Sequence, residues 1–166
     1  MVNEYRKNII RLVLDFVLSC KKIEGVNRIS IIGSLISDKE KPKDVDLLVN
    51  ISDDLDLTHL AKISRTLQGK SGGLTGGADV FLANNSNVYL GRTCIWKDCR
   101  PGVRMSCDAY NCGKRKYLHD DISVIKISSE IIENPPLVLY PELIRNVSVP
   151  EDVEEGLILE LFKNAI

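Results

Sequence analysis

The sequence predicts an α/β fold gathered around one hydrophobic core, on three observations. Its 166 residues are the length of one ordinary domain, since domains run about 100–200 residues. Two stretches, 3–23 and 55–68, carry apolar residues at the three-and-four spacing of an amphipathic helix. Three short apolar runs, near 28–33, 44–50 and 78–84, have the β-branched and alternating character of strands. A composition of 44% hydrophobic and 27% charged residues excludes a disordered or fibrous chain. The longest apolar runs, Ile9 to Val17 and Ile29 to Ile36, are interrupted and fall short of the roughly 20 residues of a membrane span. Met1-Val2-Asn3-Glu4-Tyr5-Arg6 lacks the basic-then-apolar order of a signal peptide, so the expectation is a cytoplasmic protein, with no membrane partner and reduced or metal-bound thiols.

Along the chain, Ile9, Ile10, Val13, Leu14, Phe16, Val17 and Leu18 define the first helix, with Cys20 in the core and Gly25 expected to stop it. Arg28 to Gly33 reads as a buried strand and Asp44 to Asn50 as a second, separated by a polar stretch with Pro42. The next helix, with Leu57, Leu60, Ala61, Ile63 and Leu67 on one side, has Asp53 or Asp54 as candidate cap. Gly69 to Gly77 holds five of the 11 glycines and reads as a flexible loop. Ala78 to Asn84 is the third strand. Residues 85–118 show no sustained period and read as loop-rich. Ile122 to Ile127 is a further strand candidate, Ser128 to Glu133 a helical turn, and Leu137 to Tyr140 an edge strand ended by Pro141. Pro150 and the acids Glu151, Asp152, Glu154 and Glu155 open a last helix running to about Asn164.

A net charge of -1 conceals a segregation. Residues 92–116 hold seven basic residues (Arg92, Lys97, Arg100, Arg104, Lys114, Arg115, Lys116) against Asp98 and Asp108, which leaves the remainder acidic. Four of the five cysteines, Cys94, Cys99, Cys107 and Cys112, share that window. Four thiols in a segment without its own hydrophobic period suggest a tetrahedral structural Zn²⁺, with His119 a possible substitute ligand. The competing reading makes some of them small buried side chains. The basic residues suit a polynucleotide acceptor, with Trp96, Tyr110 and Tyr117 as stacking faces, or they pair with the acidic body.

The sharpest signal is Ile31-Ile32-Gly33-Ser34, nine intervening residues, then Asp44-Val45-Asp46-Leu47-Leu48-Val49. In a strand, positions two apart share a face, so Asp44 and Asp46 are neighbouring carboxylates that require a cation. Mg²⁺, an oxygen-seeking cation held by one or two carboxylates plus substrate phosphates, fits that demand. A strand leading through Gly33-Ser34 into a helix start would offer N–H groups and a hydroxyl to phosphate oxygens. Lys39, Lys41 and Lys43 are further candidates for phosphate contact.

With Asp79 in Ala78-Asp79-Val80-Phe81-Leu82 as a later acid, the pattern over residues 25–85 resembles the nucleotidyltransferases of the DNA polymerase beta superfamily, especially its minimal bacterial members. Where many members carry an arginine and a glycine shortly after the serine, this chain has Leu35-Ile36-Ser37-Asp38-Lys39. The resemblance implies a small mixed β-sheet flanked by helices. Asp44 and Asp46 would bind Mg²⁺, Asp79 would complete the site or act as general base, and Gly33 and Ser34 would bind the nucleotide. The implied reaction moves a nucleoside monophosphate from a nucleoside triphosphate to a protein or RNA acceptor held by the basic 92–116 segment. The alternative is a non-catalytic protein of the same fold, antitoxin-like or nucleic-acid-binding. The organisation expected is a core over 1–84, a cysteine-rich basic module over 85–118, and a return to the same domain over 119–166.

Overall fold

The computed structural model describes residues 3–42, 45–72, 77–94, 115–120 and 127–163. It is an α/β structure around a seven-stranded mixed sheet in the order β5-β4-β3-β2-β1-β6-β7. Helix α1 (Glu4–Cys20) is capped by Asn3, whose side chain accepts from the Arg6 N–H. It ends before Gly25, whose φ of 99° instead turns the chain into β1 (Val26–Ile31). β2 (Val45–Ile51) lies antiparallel to β1. It connects through α2 (Thr58–Ser71) to β3 (Ala78–Ala83), which lies parallel to it, as a helical crossover permits. β4 (Tyr89–Thr93) and the two-residue β5 (Leu118–His119) add antiparallel strands on one side. On the other, α3 (Ser129–Glu133) precedes β6 (Leu137–Tyr140) and β7 (Ile144–Arg145). A closing helical segment comprises α4 (Glu151–Val153), a π-helical stretch (Glu154–Ile158) and α5 (Leu159–Lys163).

Alternation along the strands divides the sheet into two faces. Ile29 and Ile31 of β1, Val45, Leu47, Val49 and Ile51 of β2, and Val80 and Leu82 of β3 join one large core with α1, α2 and the C-terminal segment. The opposite face carries a small apolar cluster of Leu48, Phe81, Ala83 and Ile132. Asp46 and Asp79 belong to that second face by alternation. No helix among the described residues is long and apolar enough to cross a membrane.

Several expectations are corrected. The α2 cap is neither Asp53 nor Asp54: Asp56 accepts from the Thr58 N–H at 2.9 Å and from the Thr58 hydroxyl at 2.7 Å. Those bonds hold the Asp56 carboxyl below its ordinary range. α2 runs through Gly69 to Ser71, because Ser71 is buried and the Gln68 amide donates to the Ala78 carbonyl, tying the helix end to β3. The expected loop character after Asn84 gives way to β4, whose half-buried alternation is too short to produce a period. Leu137–Tyr140 is internal, because the exposed two-residue β7 pairs outside it. The strand candidate at 122–127 lies almost wholly outside the described residues.

Candidate functional site

The parallel register between β2 and β3 sets Asp46 directly opposite Asp79. Neighbouring strands lie about 4.8 Å apart, and both residues are only partly buried. Both sit at the N-terminal ends of their strands, on the face opposite the large core. The C-terminal end of β1 arrives beside them. The Ile32 N–H donates to the Asp46 carbonyl at 3.1 Å, and Gly33 follows. A Cβ on Gly33 would lie 2.7 Å from Asp46 Oδ2 and 2.8 Å from Asp46 Cβ. Gly33 has φ -104°, which any residue adopts. Glycine is therefore required for space, because the Asp46 side chain occupies the position a Cβ would take.

Ser34 does not begin a helix of useful length. It opens one 3₁₀ turn, Ser34–Ile36, closed by the Ser37 N–H and hydroxyl donating to the Ser34 carbonyl at 3.0 and 2.6 Å. A turn this short lacks the summed dipole of a long helix, so the expected helix-start contribution to phosphate binding is corrected to what the Ser34 hydroxyl and loop backbone offer. Lys39 and Lys41 are exposed. Lys43 and Asp44 lie outside the described residues.

Sequence reasoning missed the partner of Asp79. Arg92, opposite Phe81 on β4, lies on the carboxylate face, and its Nη1 donates to Asp79 Oδ1 at 3.0 Å. The available signal was the period-two alternation of Tyr89-Leu90-Gly91-Arg92, obscured by assigning Arg92 to the basic window. His119 pairs opposite Arg92 from β5 and is buried. Gly91 makes that approach possible, since a Cβ there would lie 2.5 Å from the His119 carbonyl oxygen. The chemistry of the donor set fits Mg²⁺: two opposed, partly exposed carboxylates offer hard oxygen ligands.

The proposed zinc set is divided. Cys94 is buried after β4, with its N–H donating to the Tyr117 carbonyl at 2.8 Å. Cys99, Cys107 and Cys112, with Trp96 and Tyr110, lie outside the described residues. Among the described residues no group of three or more His, Cys, Asp or Glu forms a metal cluster. Tyr117 is not a stacking face for bases. It is buried in the main core, with the Arg65 guanidinium and the Lys116 ammonium 5.5 and 5.4 Å from its ring centre. Arg115 is likewise engaged, donating to the Leu55 carbonyl at 2.9 Å. Cys20 is a core residue as expected, and burial pushes its thiol up to about 12.

No curated protein and no solved structure matches the chain. A family model matches residues 1–116, a span that includes Gly33, Asp46, Asp79 and Arg92. By that match the chain belongs to DUF6932, a family of unknown function.

Proposed function

We propose that the protein is a Mg²⁺-dependent nucleotidyltransferase, or binds nucleoside triphosphates at the same site. The observation that carries this reading is the side-by-side placement of Asp46 and Asp79 at one end of the sheet, with Gly33 packed against Asp46. Their register sets carboxylate oxygens side by side on a partly exposed surface, the ligand type that a hard cation takes. Asp46 and Asp79 would hold Mg²⁺, which would supply Lewis-acid charge to the phosphate oxygens. Asp44, expected with Asp46 as the Mg²⁺ pair, lies outside the described residues.

In the reaction, an acceptor hydroxyl attacks the α-phosphorus of a nucleoside triphosphate. An oxygen–phosphorus bond forms, the bond to the bridging oxygen breaks, and pyrophosphate leaves. The hydroxyl proton passes to a base, a role open to the Asp79 carboxylate where it serves as general base instead of as a Mg²⁺ ligand. Arg92 holds that carboxylate oriented in the resting site and presents a guanidinium suited to bidentate phosphate recognition. Gly33 contributes by the space it leaves, which lets the end of β1 approach Asp46.

A second reading is favoured by the Arg92–Asp79 ion pair itself. A carboxylate already neutralised by arginine is a weaker cation ligand, which suits a protein that binds a nucleotide or partner without turnover. Incubation with each labelled nucleoside triphosphate and Mg²⁺, with protein and RNA acceptors, separates them. Label entering an acceptor supports transfer, binding without incorporation supports the second reading, and no binding overturns both.

A further inference from the structure

The connection between Gly33 and β2 has a holder outside the sheet. Arg6, on α1, is 4% exposed, unusual for an arginine. Its Nη2 donates to the Leu35 carbonyl at 2.9 Å and its Nη1 to the Lys39 carbonyl at 2.8 Å. Its Nε and Nη2 also engage both carboxylate oxygens of Asp152 on α4, at 2.6 and 3.1 Å. Two neighbours on the same helix end extend the grip: the Asn3 amide donates to the Glu40 carbonyl at 2.9 Å, and the Tyr5 hydroxyl to the Pro42 carbonyl at 2.8 Å. Carbonyls of residues 35, 39, 40 and 42 are thus collected by three side chains from one end of α1.

A loop carbonyl without a strand or helix partner needs a donor. Only a planar guanidinium supplies several donors in a fixed fork, so lysine cannot reproduce this arrangement. We propose that Arg6 is the positioning residue of the nucleotide site, holding the 34–42 loop so that Gly33 and Ser34 meet Asp46 in register, with Asp152 fixing the guanidinium. This deepens the nucleotide-site reading and rests on it. It also ties the C-terminal helical segment to the site, since Asp152 is the only contribution to the clamp from beyond residue 116 among these bonds.

The test uses the full chain and compares R6K, D152N and D152E with V13A, a core substitution on the same helix remote from the loop bonds. Three quantities are read: melting temperature, affinity for ATP, GTP, CTP and UTP each with Mg²⁺, and hydrogen exchange of the Ile36, Ser37 and Lys39 amides. R6K and D152N are expected to weaken nucleotide binding by about tenfold or more, the scale of residues that orient ligands from behind. They also speed exchange at those three amides, and D152E restores part of both. V13A lowers the melting temperature but leaves affinity within about twofold, as a site with no shared partners should. If V13A, at a matched loss of melting temperature, weakens binding as much as R6K, the role is general stability and the proposal is overturned. Unchanged loop exchange in R6K overturns the clamp while wild-type binding leaves the site reading intact. Failure of the wild type to bind any of the four nucleotides overturns the nucleotide site and the positioning role together, whatever the exchange data show.

Discussion

The same strands build two unlike surfaces. On β2, Val45, Leu47, Val49 and Ile51 enter the large core, while Asp46, Leu48 and Asn50 alternate onto the other side. On β3, Ala78, Val80 and Leu82 are opposed by Asp79, Phe81 and Ala83. The first surface is covered by two long helices and the C-terminal segment, and the residues that β1, β2 and β3 contribute to its core are apolar. The second has a four-residue apolar cluster and, among the described residues, polar side chains at Arg28, Ser30, Asp46, Asn50, Asp79 and Arg92. A register slip of one residue would exchange the two surfaces and bury the carboxylates. The packed face therefore fixes the site: by setting register, the apolar set obliges Asp46 and Asp79 to face the other way.

Neighbouring residues on β2 give the sharpest way to break that contrast. Asp46→Asn, and equally Asp79→Asn, is expected to abolish Mg²⁺-dependent nucleotide transfer, a loss of about 10³-fold or more if charge stabilisation carries the reaction. Asp46→Asn should change thermal stability far less than a core truncation, because Asp46 is only partly buried and its replacement is nearly isosteric. Leu47→Ala does the reverse. Leu47 is fully buried, and its truncation should cost about 2–5 kcal/mol, read by urea unfolding. Nucleotide affinity in the remaining folded protein should persist. A large stability loss in Asp46→Asn, or unimpaired transfer, would contradict the division of labour.

Gly33→Ala tests whether β1 belongs to the site through space alone. The added methyl would collide with the Asp46 Cβ, which is strand-borne and cannot swing away. Overpacking of this kind costs about 1–3 kcal/mol, and the displacement should weaken nucleotide binding more than stability. Binding and unfolding measured on the same preparations separate the effects, and an unaltered affinity would remove Gly33 from the site.

On the packed face, Cys20 reports the depth of burial. Its thiol is pushed from 9.0 up to about 12 by desolvation. In the unfolded chain it ionises first, so the unfolded state binds fewer protons above pH 9 and stability falls as pH rises through the interval up to the folded value. The slope is about 1.4 kcal/mol per pH unit, and Cys20→Ala should remove that component. Comparing wild type and Cys20→Ala at pH 8 and 10.5 by urea unfolding isolates it from lysine and tyrosine titration. Rapid native alkylation of Cys20 at pH 8 would show that the face is less closed than its packing.

How much of this was legible in the sequence follows from which signals are local. Helix periodicity, the three apolar strands and the pairing of Gly33-Ser34 with later acids are local patterns, and the α/β class, α1, α2 and β1–β3 emerge from them. What the pattern could not give is set by tertiary partners. Arg6 carries no local mark of its role, because its bonds reach 29, 33 and 146 residues along the chain. Arg92 reads as part of a basic run, yet Asp79 claims it across a strand pair. The internal position of β6 depends on β7, too short and too exposed to leave a hydrophobic mark. Gly33 was visible as a motif residue, but its physical reason, the Asp46 side chain in its Cβ position, is a matter of packing.

The smallest expected effect has the most informative sign. Ser30 lies on β1 opposite Leu48, on the carboxylate face, and is fully buried. Among the described residues its hydroxyl has no hydrogen-bond partner. A buried, unsatisfied hydroxyl is destabilising, and removing it leaves a cavity no larger than one oxygen. Ser30→Ala should therefore be neutral or stabilise the protein by up to about 1 kcal/mol, a change measurable as a shift in the urea midpoint at constant slope. The corresponding truncation on the other face, Ile29→Val, also on β1 and fully buried, should destabilise by about 0.5–1.5 kcal/mol. Opposite signs from adjacent residues of one strand would establish that the two faces differ in how completely their groups are satisfied. A destabilising Ser30→Ala would mean that the hydroxyl is held by a partner and that the carboxylate face is as closely fitted as the core.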